Sequence, residues 1–294
     1  MQTLIINKIF KLFAWTCSLI LVSALFIIIG FLIFKGFNGL NLKLIFSNTS
    51  PINAILLKSQ VFDGLFPAIF GTLCLIFLSI LFAVPMGLAT GIFLAEYCPL
   101  KIKWFFSLIF DILAGIPSIV IGLFGFSITI FLHHYFNNNF FPCLLISALS
   151  LGFLVLPYII RTTQVALEAL PLETRLSALS LGATKLQNIF LVLLPSSMGG
   201  ILNGVILAIG RCAEDTAVIM LTGAVAVAGI PKSIFSNFEA LPFYIYYISS
   251  QYSDNAELIK GYSACLILII ICIGLFISAH GIKAILKTKI LYKL

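Results

Sequence analysis

Long apolar runs alternate with short polar segments along the whole chain. A helix crosses the hydrocarbon core of a bilayer with about 20 apolar residues. By this criterion the pattern predicts six spans, at residues 12–34, 64–94, 104–132, 141–160, 197–226 and 259–282. The first run continues into Phe34-Lys35-Gly36-Phe37 without a small-residue cleavage site, so we interpret it as a retained span and not as a signal peptide. The pattern is typical of an all-α, polytopic membrane protein.

The composition agrees with this interpretation. Of the 294 residues, 61% are hydrophobic and only 9% are charged. In a soluble domain, roughly a quarter of all residues are charged. A net charge of +7 would indicate a nucleic-acid partner in a soluble protein. Here the basic residues flank the apolar runs, so we expect them to orient the chain in the lipid bilayer and we expect no nucleic-acid partner.

The distribution of lysine and arginine predicts the orientation. Eleven of them fall on one side of the predicted spans, at Lys8, Lys11, Lys101, Lys103, Arg161, Arg175, Lys185, Lys283, Lys287, Lys289 and Lys293. Five fall on the other side, at Lys35, Lys43, Lys58, Lys232 and Lys260. The richer side should be cytoplasmic. Both termini are then predicted to lie inside, with residues 35–63 and 227–258 outside.

The chain offers little that would support catalysis. It has no phosphate-binding loop of the Gly-x-x-x-x-Gly-Lys-Ser/Thr type, and no nucleophile–base arrangement stands out. The seven cysteines lack metal-ligand spacing and sit mostly in apolar runs. We therefore expect a membrane subunit that is not an enzyme, with no cofactor and no metal.

The longest predicted cytoplasmic connection, between the fourth and fifth spans, is patterned. Residues 162–169 and 172–181 predict two short helices on either side of Pro171, the second of them amphipathic. Gly182 follows, and a glycine after a helix adopts the left-handed conformation without strain. A plain surface hairpin is the alternative, although ordinary connections are shorter.

Three charged residues lie inside the fifth predicted span, at Arg211, Glu214 and Asp215. One charge at bilayer depth costs about 2.5–3.5 kcal/mol on insertion scales, so we expect all three to face the bundle interior or an aqueous path. Arg211 and Asp215 are four residues apart and can pair on one helix face. Two interpretations stay open: an ion-pair network that holds the bundle together, and a polar path in which Arg211 contacts a charged solute.

The third predicted span is interrupted by the run Gly115-Ile116-Pro117-Ser118-Ile119-Val120-Ile121-Gly122-Leu123-Phe124-Gly125. A proline within a helix removes one backbone hydrogen bond and frees a carbonyl, which is tolerated where the backbone is buried or lines a cavity. The Ser118 side chain then either hydrogen-bonds to the freed carbonyl or contacts a solute. A proline kink with glycines for close helix packing is the alternative.

The connection between the fourth and fifth predicted spans resembles the EAA loop of ABC importer permeases. Gly182, Val192 and Leu194-Pro195 stand at the spacing of that loop, while Leu176 replaces its glutamate and Ser177 its first alanine. The resemblance implies that the short helix docks on a separate ATPase. The residues it assigns to this coupling are Glu173, Arg175, Ser177, Ala178, Gly182 and Ala183.

Further runs resemble phosphate permeases of the ABC importer class, over residues 64–285. The run at 115–125 is similar to a motif of that family, and Arg211-Cys212-Ala213-Glu214-Asp215-Thr216-Ala217 is similar to another. In the second motif Asp215 replaces a glutamate and Glu214 a glycine. The run Ala240-Leu241-Pro242-Phe243-Tyr244-Ile245-Tyr246 resembles the PstA type more than the PstC type.

This resemblance implies a MetI-like permease subunit in a bacterial inner membrane. It implies ATPase-driven alternating access for inorganic phosphate, with Arg211, Asp215, Glu214, Ser118 and Pro117 along the substrate path. The implied partners are a PstC-like permease, a dimer of ATP-binding subunits and an extracytoplasmic phosphate-binding protein. A permease for sulfate, molybdate or phosphonate is one alternative, and a secondary transporter or channel is another.

The chain is accordingly divided into three parts. Residues 1–63 form an N-terminal transmembrane helix and outer loop. Residues 64–285 form the importer transmembrane domain with its coupling loop at 161–195, and residues 286–294 form a basic cytoplasmic tail.

Overall fold

The computed structural model is a bundle of helices. It describes residues 2–47, 49–56, 59–62, 64–135 and 141–291, and this part of the chain contains no β-strand beyond one isolated bridge between Ala224 and Phe238. The helices are α1 (Gln2–Gly36), α2 (Leu42–Phe46), α3 (Pro51–Ile55), α4 (Phe66–Ile92), α5 (Leu100–Ala114), α6 (Ser118–Tyr135), α7 (Leu144–Glu168), α8 (Leu172–Ser180), α9 (Lys185–Asn188), α10 (Leu194–Glu214), α11 (Ala217–Thr222), α12 (Leu241–Gln251) and α13 (Asn255–Leu291).

Six helical segments of the described residues are long and apolar enough to cross a membrane. They are Ile6–Gly39, Phe66–Tyr97, Ser118–Tyr135, Leu144–Glu168, Lys185–Glu214 and Asn255–Ile285. Short π-helical turns extend α4 through Phe93–Tyr97 and join α9 to α10 through Ile189–Leu193. The predicted all-α architecture with six spans is confirmed. Two residues of the orientation argument, Lys58 and Lys293, lie outside the described residues.

The third span differs from the prediction. It was expected over residues 104–132 with an interruption around Pro117, but the interruption is complete: α5 ends at Ala114, and the helix of spanning length begins at Ser118. Pro117 immediately precedes α6, where no intrahelical partner for a backbone N–H is needed, and the carbonyl four residues before it, that of Leu113, accepts from the Ile116 N–H at 3.2 Å. The expectation of a freed carbonyl within the span was wrong. The residue before a proline avoids helical geometry, so the chain turns here and starts a new helix.

The connection before the fifth span also differs from the prediction. Residues 162–169 do not form a separate short helix but continue α7 to Glu168. The fifth span was expected over 197–226, whereas the helical path starts at Lys185 and stops at Glu214. Asp215 is extended, with φ −74° and ψ 123°, and α11 begins two residues later. This span is therefore a discontinuous helix.

The core is built around α7. Leu151, Val155 and Ile159 on this helix are fully buried, and α7 packs between α4 and α10. A Cβ added to Gly204 would lie 1.8 Å from Thr162 Oγ1, so a glycine is needed for α10 to approach α7 this closely. The helices α8 and α9 lie at one end of the bundle, which we call the α8 end. The helices α2, α3 and α12 lie at the other, which we call the α12 end.

Candidate functional site

The helix break at Asp215 brings the three charged residues of the fifth span together. Arg211 Nη1 donates to Glu214 Oε1 at 2.8 Å, and Arg211 Nη2 lies 3.8 Å from Asp215 Oδ2. The expected pairing of Arg211 with Asp215 is thus present, but the contact with Glu214 is the shorter one. All three belong to the last turn of α10 or to the break that follows it.

The two carboxylates have different surroundings. The Asp215 side chain is only 3% exposed, and its Oδ1 accepts the Val218 backbone N–H at 2.9 Å. It therefore caps the first turn of α11, where a side-chain acceptor satisfies an otherwise free N–H. The Glu214 side chain is 64% exposed and Arg211 is 37% exposed. Arg211 and Glu214 face open space, and Asp215 supports the backbone that holds them.

A cavity of about 740 Å³ opens beside this pair, between α7, α10 and α13. Its lining includes Tyr158, Asn203, Arg211, Glu214, Phe276 and His280. Tyr158 is fourteen residues into the 25-residue helix α7, so this wall lies near the middle of the bundle. One guanidinium nitrogen, Arg211 Nε, is buried without a hydrogen-bond partner among the described residues. Most of the cavity wall is apolar, and the side chains of Tyr158, Asn203, Arg211, Glu214 and His280 supply its polar groups.

Pro117 and Ser118 are not part of the cavity wall. They form the turn between α5 and α6, and Tyr158 Oη reaches this turn by donating to the Ala114 carbonyl at 3.4 Å. The structure thus separates the sequence-predicted path residues into two groups. Arg211, Glu214 and Asp215 are brought together, and the α5–α6 turn is connected to the cavity through Tyr158.

The short helix α8 ends as the sequence predicts. Gly182 has φ +85°, a left-handed conformation that favours glycine, and the Ala183 N–H donates to the Ala178 carbonyl at 3.0 Å. Leu172, Leu176 and Leu179 are exposed on α8. An apolar helix face thus lies open at the α8 end.

Two residues at the end of the second span anchor this helix, and sequence reasoning gave them no role. Arg175 forms an ion pair with the Glu96 carboxylate, and Lys185 donates to the Glu96 carbonyl while its ammonium lies 4.3 Å from the centre of the Tyr97 ring. Asn188 Nδ2 also donates to the Arg175 carbonyl at 2.9 Å. Arg175 therefore connects α8 directly to the end of the second span. The available sequence signal was a lone glutamate at a span end.

A second group of ion pairs joins α5 to α7 near the α8 end. Arg161 Nε lies 3.0 Å from Asp111 Oδ1, and Lys103 Nζ lies 2.9 Å from Glu168 Oε1. These four side chains are partly exposed, so they contribute modestly to stability. Their effect is to hold the amphipathic helix α5 against the end of the fourth span.

A buried carboxylate at the α12 end was also missed. Glu239 is almost fully buried, and its Oε1 accepts the backbone N–H groups of Ala228 and Gly229 at 3.0 and 2.8 Å. Burial raises the pKa of Glu239 to about 7, against the opposing effect of these two hydrogen bonds. The Glu239 carboxylate therefore links two parts of the connection between α11 and α12, residues 228–229 and residue 239.

Within the part of the chain that the structure describes, no group of three histidine, cysteine, aspartate or glutamate side chains is placed to hold a metal ion.

The model of one protein family, the binding-protein-dependent transport system inner membrane component, matches residues 87–291. The chain belongs to this family. It is a multi-pass membrane permease, the transport subunit of an ABC importer.

Individual relatives are similar to this chain over most of its length. The chain is 32% identical over 260 residues to the phosphate transport system permease protein PstA of Xylella fastidiosa (strain 9a5c), covering 88% of this chain and 85% of that protein. It is 26% identical over 274 residues to the probable ABC transporter permease protein YqgI of Bacillus subtilis (strain 168), covering 88% and 89%.

Among solved structures, a chain of the inward-facing MetNI methionine ABC transporter aligns with a TM-score of 0.58 and 19% identity. The alignment covers 81% of this permease and 99% of that chain. The predicted MetI-like architecture is confirmed.

Proposed function

We propose that this permease moves inorganic phosphate across the bacterial cytoplasmic membrane by ATPase-driven alternating access. The observation that carries the proposal is the exposed Arg211–Glu214 pair, which lines a cavity in the middle of the bundle. The identity to PstA proteins favours phosphate as the solute. Arg211 offers planar, permanently charged donors that suit a tetrahedral oxyanion.

The carboxylates in this site fit a protonated anion. Asp215 is engaged with the N-terminus of α11, which leaves Glu214 as the carboxylate that faces the cavity. Near neutral pH phosphate carries a proton that it can donate to Glu214, whereas sulfate carries none. Sulfate offers Glu214 no such donor, so the Glu214 carboxylate and the sulfate repel each other. Pro117 and Ser118 act on the path through the turn that Tyr158 contacts.

The open face of the cavity supports the proposal that a second permease subunit packs here. Arg211 and Glu214 lie at bilayer depth, where each charge facing lipid costs about 2.5–3.5 kcal/mol. A PstC-like partner that covers this face would remove that cost and complete the path. In this proposal residues 64–285 form the shared transmembrane domain, while residues 1–63 and the tail at 286–294 are attached to it.

The α8 end faces the cytoplasm in this proposal, as do both termini. Leu172, Leu176 and Leu179 provide an apolar surface for a dimer of ATP-binding subunits, with Glu173, Ser177 and Ala178 on the same short helix. Arg175 then passes its movement to Glu96 and the second span. An extracytoplasmic phosphate-binding protein would deliver its ligand at the α12 end. The ATPase docking helix lacks the usual glutamate, because Leu176 stands there.

Uptake of radiolabelled phosphate into vesicles tests the proposal. The permease is co-expressed with its partner subunits, and the control carries an ATPase subunit that cannot hydrolyse ATP. We expect uptake that requires ATP hydrolysis and that excess unlabelled phosphate, but not sulfate, suppresses. Uptake that persists with the inactive ATPase would instead identify a secondary transporter or channel, and equal suppression by sulfate would remove the assignment to phosphate.

A further inference from the structure

The cavity beside Arg211 has a second polar region that the proposed path does not use. Asn203 on α10 and His280 on α13 line it at the end nearer α8. Lys283, one turn further along α13, donates to Asn203 Oδ1 at 2.6 Å. We call these three residues the inner cluster.

The inner cluster is a separate position along the path. Asn203 and Arg211 are eight residues apart on α10, which places them about 12 Å apart along the helix axis. The Arg211 guanidinium is directed toward Glu214, away from Asn203, so in this arrangement one tetrahedral oxyanion does not contact both side chains. Phe276, which packs against Gly210 between them, separates the two positions.

The net charges of the two positions differ in sign. At the helix break one cation, Arg211, faces the two carboxylates of Glu214 and Asp215. In the inner cluster Lys283 carries a full positive charge, and its hydrogen-bond partner is the neutral amide of Asn203. No carboxylate of the described residues forms an ion pair with Lys283. An anion is therefore attracted more strongly to the inner cluster than to the helix break.

The unused hydrogen-bonding groups of the cluster suit an oxyanion. Asn203 Oδ1 is occupied by Lys283, but within the described part of the chain Asn203 Nδ2 has no acceptor. His280 Nδ1 lies 3.0 Å from the Phe276 carbonyl and must donate to it, because a carbonyl can only accept. His280 Nε2 then remains for a ligand, as an acceptor in the neutral ring and as a donor in the cationic one.

We infer that Asn203, His280 and Lys283 form a second oxyanion-binding position, which receives phosphate between Arg211 and the cytoplasm. This inference rests on the proposed function and deepens it. His280 Nε2 accepts a hydrogen bond from the protonated oxygen of phosphate, while Lys283 and Asn203 Nδ2 donate to its other oxygens. Two positions of unequal charge give the anion a direction of travel from the helix break to the inner cluster.

Equilibrium binding of radiolabelled inorganic phosphate to the permease–ATPase complex tests the inference, without ATP and without the binding protein. We expect Lys283→Gln to weaken binding about tenfold or more, the loss of one hydrogen bond to a charged group, and Lys283→Arg to restore it. Lys260→Gln, at the other end of α13, is the matched control and should bind as the wild type does. His280→Ala should weaken binding in the same direction, and Arg211→Ala should leave part of the binding intact.

Three outcomes would overturn the inference. The first is unchanged binding in Lys283→Gln, and the second is a wild-type complex that takes up phosphate in vesicles but does not bind it in this state. Both leave the proposed function standing, whereas a wild-type complex that fails in uptake as well removes both proposals.

The third outcome concerns the source of the phosphate group, because a lipid headgroup offers the same chemistry. Binding is measured in bilayers of phosphatidylcholine alone and in bilayers with added phosphatidylglycerol. Equal effects of Lys283→Gln in both support an inorganic phosphate site. An effect that occurs only with phosphatidylglycerol assigns Lys283 to the lipid and overturns the inference.

Discussion

Asp215 Oδ1 accepts the backbone N–H of Val218 at 2.9 Å, across the point where the fifth span is interrupted. This hydrogen bond starts α11, and the same carboxylate lies 3.8 Å from Arg211. One buried side chain thus fixes both the break in the helix and the position of the cation before it. The geometry of the site therefore depends on the hydrogen bond between Asp215 and Val218 as well as on the charge of Arg211.

Replacing this cap tests its structural role. Asp215→Ala should lower the free energy of unfolding by about 1–2 kcal/mol, because a capping acceptor is lost. Asp215→Asn keeps an acceptor for Val218 and should lose less. Denaturant unfolding of the purified protein in detergent measures both changes. Asn41→Ala removes the exposed cap of the five-residue helix α2 and serves as control, with an expected loss at the lower end of that range. Equal stability of Asp215→Ala and the wild type would contradict the assignment.

Arg211 is expected to matter for transport and not for folding. Arg211→Ala should lower phosphate uptake roughly 10- to 100-fold, as expected for losing a hydrogen bond between charged groups. Arg211→Lys should recover only part of the rate, since a lysine cannot form the planar paired contact. Initial uptake rates in vesicles are the measurement, with copurification of the ATPase as the control for assembly. Undiminished uptake by Arg211→Ala would leave Arg211 as part of an ion-pair network alone.

The contact between Glu96 and Arg175 should be energetically coupled. The Glu96 side chain is only 10% exposed, so a double-mutant cycle with Glu96→Gln and Arg175→Gln should give about 1–3 kcal/mol. The pair of Asp111 and Arg161 is more exposed and provides the matched comparison, for which about 0.2–1 kcal/mol is expected. Unfolding free energies of the single and double variants supply both cycles. Coupling no larger than in the comparison pair would argue against Glu96 as an anchor of α8.

Gly182 ends α8 through its backbone alone. Its φ of +85° is strained for any side-chain-bearing residue, and a Cβ there would meet no neighbouring atom within 4 Å. Gly182→Ala should therefore cost about 1–2 kcal/mol and displace the coupling surface. Gly199→Ala is a clean control, since Gly199 lies inside α10 in open space and alanine favours helix there. ATPase activity of the complex, and its dependence on phosphate delivery, should fall in the first variant and persist in the second.

Glu239 should make stability depend on pH. Its pKa is raised from 4.5 to about 7 in the folded chain, so the folded state holds a proton that the unfolded state has released. Stability should therefore fall as the pH rises from about 4.5 to about 7 and level off above that. Glu239→Gln keeps an acceptor for Ala228 and Gly229 and should lose this slope. Unfolding midpoints at pH 5 and pH 8 measure the difference, and Asn237→Gln in the same loop should keep the wild-type profile. A Glu239→Gln variant with an unaltered slope would contradict the assignment.

The chain's own pattern determined the number of spans and the end of α8. Transfer of some 20 apolar residues into lipid is a local property, since each residue contributes independently of its eventual neighbours. The left-handed glycine at Gly182 is local as well. The three charges of the fifth span were also readable from the sequence, because their cost in lipid does not depend on where the helix breaks.

Only the tertiary structure decided which residues face one another. Glu96 and Arg175 are far apart in the sequence, as are Asn203 and Lys283, and their contacts depend on how α4, α10 and α13 pack around α7. The breaks at Pro117 and Asp215 are local features in contrast, a proline and a side-chain cap, which the hydrophobic pattern does not register. Sequence determined what must lie in the membrane, because burial of apolar surface is additive along the chain. Packing decided where the polar groups meet, because hydrogen bonds require two partners at a fixed distance and angle.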